Sequence, residues 1–135
     1  MYESGLDAYQ HAATEARAAS ASPQELVLML IDGLLDEIAR ADGHMRARNF
    51  ERKGQSIGKC IQILGGLDTA LDMENGGETA ANLHRLYDYC GRQLFEASLR
   101  NEVEGLRAVE RIIGNLREGW QTLAHNASVP GAARG

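Results

Sequence analysis

Apolar residues recur at alternating spacings of three and four along most of the chain, which is the pattern of amphipathic α-helices. A first helix is predicted to begin with Ser22 as its N-cap, Pro23 at its first position and Glu25 completing a capping box. One apolar face follows, made of Val27, Ile31, Leu34, Ile38, Ala41 and Met45. This face is continuous, so the first helix is expected to pack against neighbours along its length.

Three further helices are predicted from the same periodicity. A second helix, at residues 50–71, has a face made of Phe50, Ile57, Ile61, Leu64 and Leu71, with Cys60, Ile63 and Leu67 on its flank. A third, at residues 78–98, has a face made of Leu83, Tyr87, Cys90, Leu94 and Ala97. A fourth, at residues 102–125, has a face made of Leu106, Val109, Ile113, Leu116, Trp120 and Leu123. Since the connections are short, the sequence predicts an all-α protein, an antiparallel up-and-down four-helix bundle.

The two ends differ from the bundle, which we expect at residues 22–126. Residues 1–21 carry a weak apolar stripe at Tyr2, Leu6 and Tyr9. Because a short isolated helix is marginal in water, this stripe needs a surface, either its own bundle or a partner. Residues 127–135 contain proline and glycine and little apolar mass, so a mobile tail is expected.

Composition narrows the class of protein. A length of 135 residues with 44% hydrophobic and 24% charged residues fits one folded domain. The formal net charge of −5 argues against a broad basic face for nucleic acid. The sequence lacks an apolar run of the about 20 residues that a membrane helix needs, and its start lacks the features of a signal peptide. We therefore expect a cytoplasmic protein in which both cysteines are reduced thiols.

The string LDMENGGETAANL raises the question of an ion or phosphate site. Read as a calcium loop from Asp72, it places Leu83 where a bidentate glutamate is required. The Gly58–Lys59 pair lacks the upstream glycine of a phosphate-binding loop. We interpret the string as a turn in which Gly76 and Gly77 permit positive φ. The histidines and cysteines show neither metal-ligand spacing nor the mark of an activated nucleophile, so no metal, cofactor or catalytic site is predicted.

Glycines are frequent inside the predicted second helix, at positions 54, 58, 65 and 66. Each interior glycine costs up to about 1 kcal/mol relative to alanine, so this helix needs an explanation. One interpretation is that the small residues allow a close helix crossing. The other is a shallow groove along this helix that another helix or an extended segment fills.

Two long segments carry a resemblance to a known family. SASPQELVLMLIDGLL and LDMENGGETAANLHRLYDYCGRQLFEAS, together with Trp120, resemble the bacterial flagellin export chaperones, from the N-terminal MY to about Leu123. The resemblance implies a cytoplasmic four-helix bundle that binds the C-terminal segment of flagellin one to one. It further implies that the chaperone prevents premature polymerisation and delivers flagellin to the flagellar type III export gate, without a metal or nucleotide.

Site residues follow from this resemblance. Tyr2, Leu6 and Tyr9 match the family's start, a segment that can cover the client surface and that contributes to docking at the export gate. The client groove is expected at Ile57, Ile61, Leu64, Leu83, Leu86 and Tyr87, with interior packing as the alternative for these residues. An adaptor or regulator that binds another flagellar factor, such as the anti-sigma factor, is the alternative function. A co-chaperone is a further possible partner.

Overall fold

The computed structural model describes residues 21–128, which form four helices and contain no strand. The helices are α1 (Pro23–Arg46), α2 (Phe50–Thr69), α3 (Gly77–Arg100) and α4 (Val103–Ser128). The predicted bounds differ from these by a few residues at most, and the largest difference is the end of α4, which was expected at residue 125. The prediction of an all-α fold is confirmed.

The four helices form a closed ring in which each packs on two neighbours, α1 on α2, α2 on α3, α3 on α4 and α4 on α1. Contacts between α1 and α4 show their relative direction. Near the end of α1, Asp42 Oδ2 accepts a hydrogen bond from Arg107 Nε at 3.2 Å. Near its start, the carbonyl oxygen of Gln24 accepts one from Trp120 Nε1 at 3.1 Å. The two helices are therefore antiparallel, as the predicted up-and-down bundle requires.

The start of α1 forms the predicted capping box. Ser22 Oγ accepts a hydrogen bond from the backbone N–H of Glu25 at 3.2 Å, and Glu25 Oε1 accepts one from the backbone N–H of Ser22 at 3.4 Å. Pro23 occupies the first helical position, where its missing N–H has no helical partner to lose. Such a cap is worth about 1 kcal/mol, so it fixes where α1 begins.

The core receives large side chains from all four helices. The fully buried ones are Ile31, Leu34, Ile38, Leu67, Leu94, Leu106, Val109, Ile113, Cys60 and Cys90. The faces predicted for α1, α3 and the first half of α4 are buried, except that Val27 and Leu83 are only partly buried. Truncating one such leucine to alanine typically costs about 2–5 kcal/mol, so the core dominates the stability of the bundle.

The face predicted for α2 is wrong in part. Phe50 and Ile61 were placed on it, yet they are 45% and 40% exposed. Cys60, expected on its flank, is fully buried. The buried face also includes Lys53 and Ser56, which a count of large apolar residues overlooks. The buried side of α2 is therefore rotated from the predicted one, and part of its apolar surface faces outward.

The string between α2 and α3 is a turn, as interpreted, but its two glycines act differently from each other. Gly77 has a φ of 56°. Gly76 has a φ of −78°, and a Cβ there would lie 2.5 Å from the carbonyl oxygen of Asp72. The side chain of Asp72 accepts hydrogen bonds from Asn75 Nδ2 and the Asn75 backbone N–H, which lower the pKa of its carboxyl. Asp72 thus stabilises the turn through these hydrogen bonds.

The turn between α3 and α4 brings these helices very close. Asn101, in the left-handed conformation with a φ of 53°, ends α3. Four residues later, a Cβ on Gly105 would lie only 2.6 Å from Ala97 Cβ. Glycine is therefore required at this position because α4 begins directly against α3.

Replacing Gly105 by alanine is expected to destabilise the protein by about 1–3 kcal/mol, because the added methyl group has no space. Gly114→Ala is the matched control in the same helix, since nothing lies within 4 Å of its added Cβ. This control should stabilise the protein by up to about 1 kcal/mol through helix propensity. Urea unfolding followed by circular dichroism measures both. Equal stabilities would contradict the close contact of α3 with α4.

Candidate functional site

An open groove lies between α2 and α3, with a volume of about 680 Å³. We name it the α2–α3 groove. Its lining consists of Ile61, Leu64, Gly65 and Asp68 from α2 and of His84, Tyr87, Asp88, Gly91, Arg92, Phe95, Glu96 and Leu99 from α3. The α3 residues are spaced for one continuous helical stripe. From residue 84 to residue 99 this stripe is about 22 Å long, at a rise of about 1.5 Å per residue.

The floor of the groove is apolar and largely without a packing partner. Leu99 is 71% exposed, Phe95 57% and Ile61 40%. Beneath them, Leu64 and Tyr87 are buried and join the groove to the core. A contiguous patch of large exposed apolar side chains typically marks an interaction surface. The groove is therefore a candidate binding site.

The sequence of α3 explains why this patch exists. Leu94 and Ala97 lie on the core face and are buried. Phe95 and Leu99 lie four residues apart, so they are neighbours on the helix surface but fall outside the core stripe. The bundle cannot bury both faces of one helix at once. The second apolar edge of α3 is thus left for another partner.

Glycines in the lining, Gly65 and Gly91, leave the groove open because they have no side chain to fill it. A Cβ on Gly65 would meet nothing within 4 Å. A Cβ on Gly91 would contact the side chains of Ile61 and Leu64 at 3.8 Å, so a larger side chain there would cover the floor. Gly54 and Gly58 also face open space but lie outside the groove, and a Cβ on Gly66 would lie 3.9 Å from a side-chain atom of Leu30 in α1. A close helix crossing therefore does not require glycine at these positions, and the groove interpretation accounts for Gly65 alone among the α2 glycines.

Charged side chains border the groove. Asp68 Oδ1 lies 2.6 Å from His84 Nδ1, which links α2 to α3 across it. Arg92 Nη2 lies 3.0 Å from Asp88 Oδ2 on the same helix. Glu96 forms no ion pair with another residue in the described range. Exposed ion pairs contribute only about 0–1 kcal/mol, so these side chains can exchange partners at little cost.

The six residues predicted for the client groove occupy two settings. The groove is lined by Ile61, Leu64 and Tyr87. The core and its partly buried edge contain Ile57, Leu83 and Leu86. Ile57 is 5% exposed and packs in the core, so it does not line the groove. The other predicted site residues, Tyr2, Leu6 and Tyr9, lie outside the residues that the structure describes.

Sequence reasoning missed the two most exposed large apolar residues of the groove, Phe95 and Leu99. Their spacing of four is itself a helical signal, and both fall off the predicted core face of the third helix. They could have been identified as an apolar pair on the outer side of a helix whose core face is already filled.

The thiols of the two cysteines are in surroundings that lower their reactivity. Cys60 and Cys90 are free and fully buried. Burial, with the negative charge of Glu37 adding to it, raises the pKa of Cys60 to about 12, and burial raises that of Cys90 to about 11. Among the described side chains, those of residues 21–122, no three histidine, cysteine or acidic groups are placed so as to hold a metal ion. None of the helices in this range combines the length and apolar content that a membrane crossing requires.

Comparison with known proteins agrees with the resemblance seen in the sequence. The profile of the family described as flagellar protein FliS matches residues 5–127. The chain belongs to the FliS family. The flagellar secretion chaperone FliS of Salmonella typhimurium is 39% identical over 126 residues, 93% of each chain. FliSB of Pseudomonas aeruginosa, also a flagellar secretion chaperone, is 40% identical over 117 residues, 87% of this chain and 93% of the relative.

A more distant relative covers less of the chain. The flagellar secretion chaperone FliS of Bacillus subtilis is 31% identical over 102 residues, 76% of this chain and 75% of the relative. The family predicted from the sequence is thus confirmed, and the α2–α3 groove is the candidate binding surface of a FliS-family member.

The native protein is expected to react only slowly with a thiol reagent such as DTNB. At about pH 8, a thiol with a pKa near 11 is thiolate in only about one part in a thousand, and both side chains are also sheltered. In guanidinium chloride both cysteines should react at once. Fast reaction of one thiol in the native protein would contradict this result, and Cys60→Ala and Cys90→Ala would show which one reacts.

Proposed function

We propose that this FliS-family protein binds the C-terminal segment of flagellin one to one in the cytoplasm, prevents its premature polymerisation and delivers it to the flagellar type III export gate. The relatives are flagellar secretion chaperones by name, which supports an export role. The observation that carries the proposal is the α2–α3 groove with Ile61, Phe95 and Leu99 exposed on its floor. Such a floor suits an apolar client segment.

The size of the groove suits a helical client. Its stripe on α3 is about 22 Å long, which matches about 15 residues of α-helix. In helix-in-groove recognition, an amphipathic helix places apolar residues at spacings of three and four into such a surface. The lining of α3 has the same spacing, and a client helix lying along it would meet the large apolar side chains of Tyr87, Phe95 and Leu99.

Burial of the apolar groove floor by the client would provide the favourable free energy of binding. Fully burying a leucine or phenylalanine side chain contributes about 1.5–3 kcal/mol, and Phe95 and Leu99 are more than half exposed before a client binds. A disordered client loses conformational entropy when it becomes ordered, which subtracts from this gain. The net affinity is the difference between this gain and the cost of ordering the client.

Prevention of polymerisation follows from the same contact. Apolar residues of the client that lie against Phe95 and Leu99 are unavailable for association with other flagellin molecules. Both processes use the apolar face of the segment, so they exclude each other. No turnover of a small molecule is needed for this activity.

The N-terminal segment is proposed to regulate access to the groove. Tyr2, Leu6 and Tyr9 have spacings of four and three, which would let a short helix occupy the surface that the client uses. The segment would then cover the groove in the free protein and be displaced by flagellin. Its displacement would expose it for docking at the export gate, so that only a chaperone with bound client is recognised.

Phe95→Ala is expected to weaken binding of the flagellin C-terminal segment by about tenfold or more, because it removes an apolar anchor from the floor. Tyr89→Ala is the matched control, since Tyr89 is an aromatic residue of the same helix, 46% exposed, that does not line the groove. Isothermal titration calorimetry with the C-terminal segment of flagellin from the same organism measures the affinity of both variants. The wild-type protein should give one-to-one binding with a negative heat-capacity change.

Two outcomes would contradict the proposal. One is a wild-type protein that shows neither heat nor co-elution with the flagellin segment. The other is an equal loss of affinity in Phe95→Ala and Tyr89→Ala, which would place the client elsewhere. If the anti-sigma factor bound instead and flagellin peptide failed to compete with it, the regulator function would replace the chaperone function.

Replacing Tyr2, Leu6 and Tyr9 together by serine in the full chain is expected to increase affinity for the flagellin segment several-fold. The reason is that a covering segment competes with the client, and the apparent affinity is lower by the fraction of open protein. The same titration measures the change. An unchanged or weaker affinity would argue against a covering role for these residues.

A further inference from the structure

The charges around the α2–α3 groove specify more about the client than its apolar floor does. We propose that the groove selects a client segment in which a basic side chain flanks the apolar anchors, and that Glu96 is the residue that recognises this charge. The inference rests on the proposed function and adds a specificity determinant to it.

Carboxylates outnumber cationic side chains around the groove. Asp68 from α2 and Asp88 and Glu96 from α3 border it, whereas Arg92 is its one guanidinium among the described residues. Arg92 lies 3.0 Å from Asp88, and Asp68 lies 2.6 Å from His84 Nδ1. Glu96 alone of the three carboxylates has no ion-pair partner in the described range. A ligand can therefore pair with Glu96 without displacing any of the described side chains.

The position of Glu96 couples this charge to the apolar floor. It follows Phe95 directly and lies three residues before Leu99, so the three side chains share one region of the helix surface. A client segment seated on Phe95 and Leu99 places its flanking side chains next to Glu96. It also excludes water there, which strengthens the interaction of Glu96 with a charge on the client.

Lysine and arginine fit this arrangement well. Their aliphatic stems pack along apolar surface while the charged end extends beyond it, here toward the carboxylate of Glu96. An aspartate or glutamate at the same place in the client would be repelled. The groove thus favours apolar segments with a flanking base over equally apolar segments with a flanking acid.

Calorimetric titration of four full-length proteins with the flagellin C-terminal segment tests this inference. They are the wild type, Glu96→Gln, Glu96→Lys and the control Glu110→Lys, whose glutamate is exposed on α4 and absent from the groove lining. At low salt, we expect Glu96→Lys to weaken binding about five- to tenfold and Glu96→Gln by less, with Glu110→Lys within about twofold of wild type. The difference should shrink at high salt because exposed charges are screened.

A charge exchange makes the test specific. Each basic residue of the flagellin segment is replaced by glutamate in turn, and one replacement should weaken binding to the wild type yet restore binding to Glu96→Lys. The role of Glu96 would be overturned if the wild type binds and Glu96→Lys and Glu110→Lys have equal affinities. It would also be overturned if no replacement in the segment restores binding to Glu96→Lys. Either result would leave the proposed chaperone function standing. If the wild type does not bind at all, the proposed function itself fails and the inference falls with it.

Discussion

The groove exists because α3 is held at a fixed position on α2, and Lys53 provides that connection at one end. Its side chain is buried, and Nζ donates hydrogen bonds to the carbonyl oxygen of Ser98 at 2.7 Å and to Asn101 Oδ1 at 2.8 Å. Carbonyls in the last turn of a helix lack helical donors, and a cation is favoured there by the helix dipole. A buried ammonium group needs such partners, so the contact fixes the turn of α3 that carries Leu99.

The remaining contacts of α3 leave one edge of it unused. Its core face is filled by residues such as Leu94, and its C-terminal end packs against Gly105 at the start of α4. With two sides of the helix occupied, Phe95 and Leu99 can reach neither neighbour. Burying them would require α3 to rotate, which would expose Leu94 and separate Lys53 from its partners. The exposed apolar edge is thus a consequence of a well-packed bundle.

Much of this fold could be predicted from local sequence, and the exceptions have long-range causes. The capping box at Ser22 and the apolar stripes gave the four helices because both signals lie within a few residues of chain. The rotation of α2 could not be found that way, because the polar residue Lys53 is buried through partners 45 and 48 residues away. The same pattern assigned both Ile61 and Ile57 to a client groove, whereas Ile61 lines the α2–α3 groove and Ile57 lies in the core.

An exposed apolar groove is also a liability, because two copies of the chain could cover their floors against each other. The acidic border opposes this. In a two-fold symmetric contact the same patch meets itself, so each copy brings Glu96, which has no ion-pair partner among the described residues, into the contact, while Arg92 is already paired with Asp88. Like charges placed together in a desolvated contact are strongly unfavourable. The apolar segment with a flanking base that we propose as the client would meet the same floor without this penalty, so the same carboxylate would oppose self-association and favour that client.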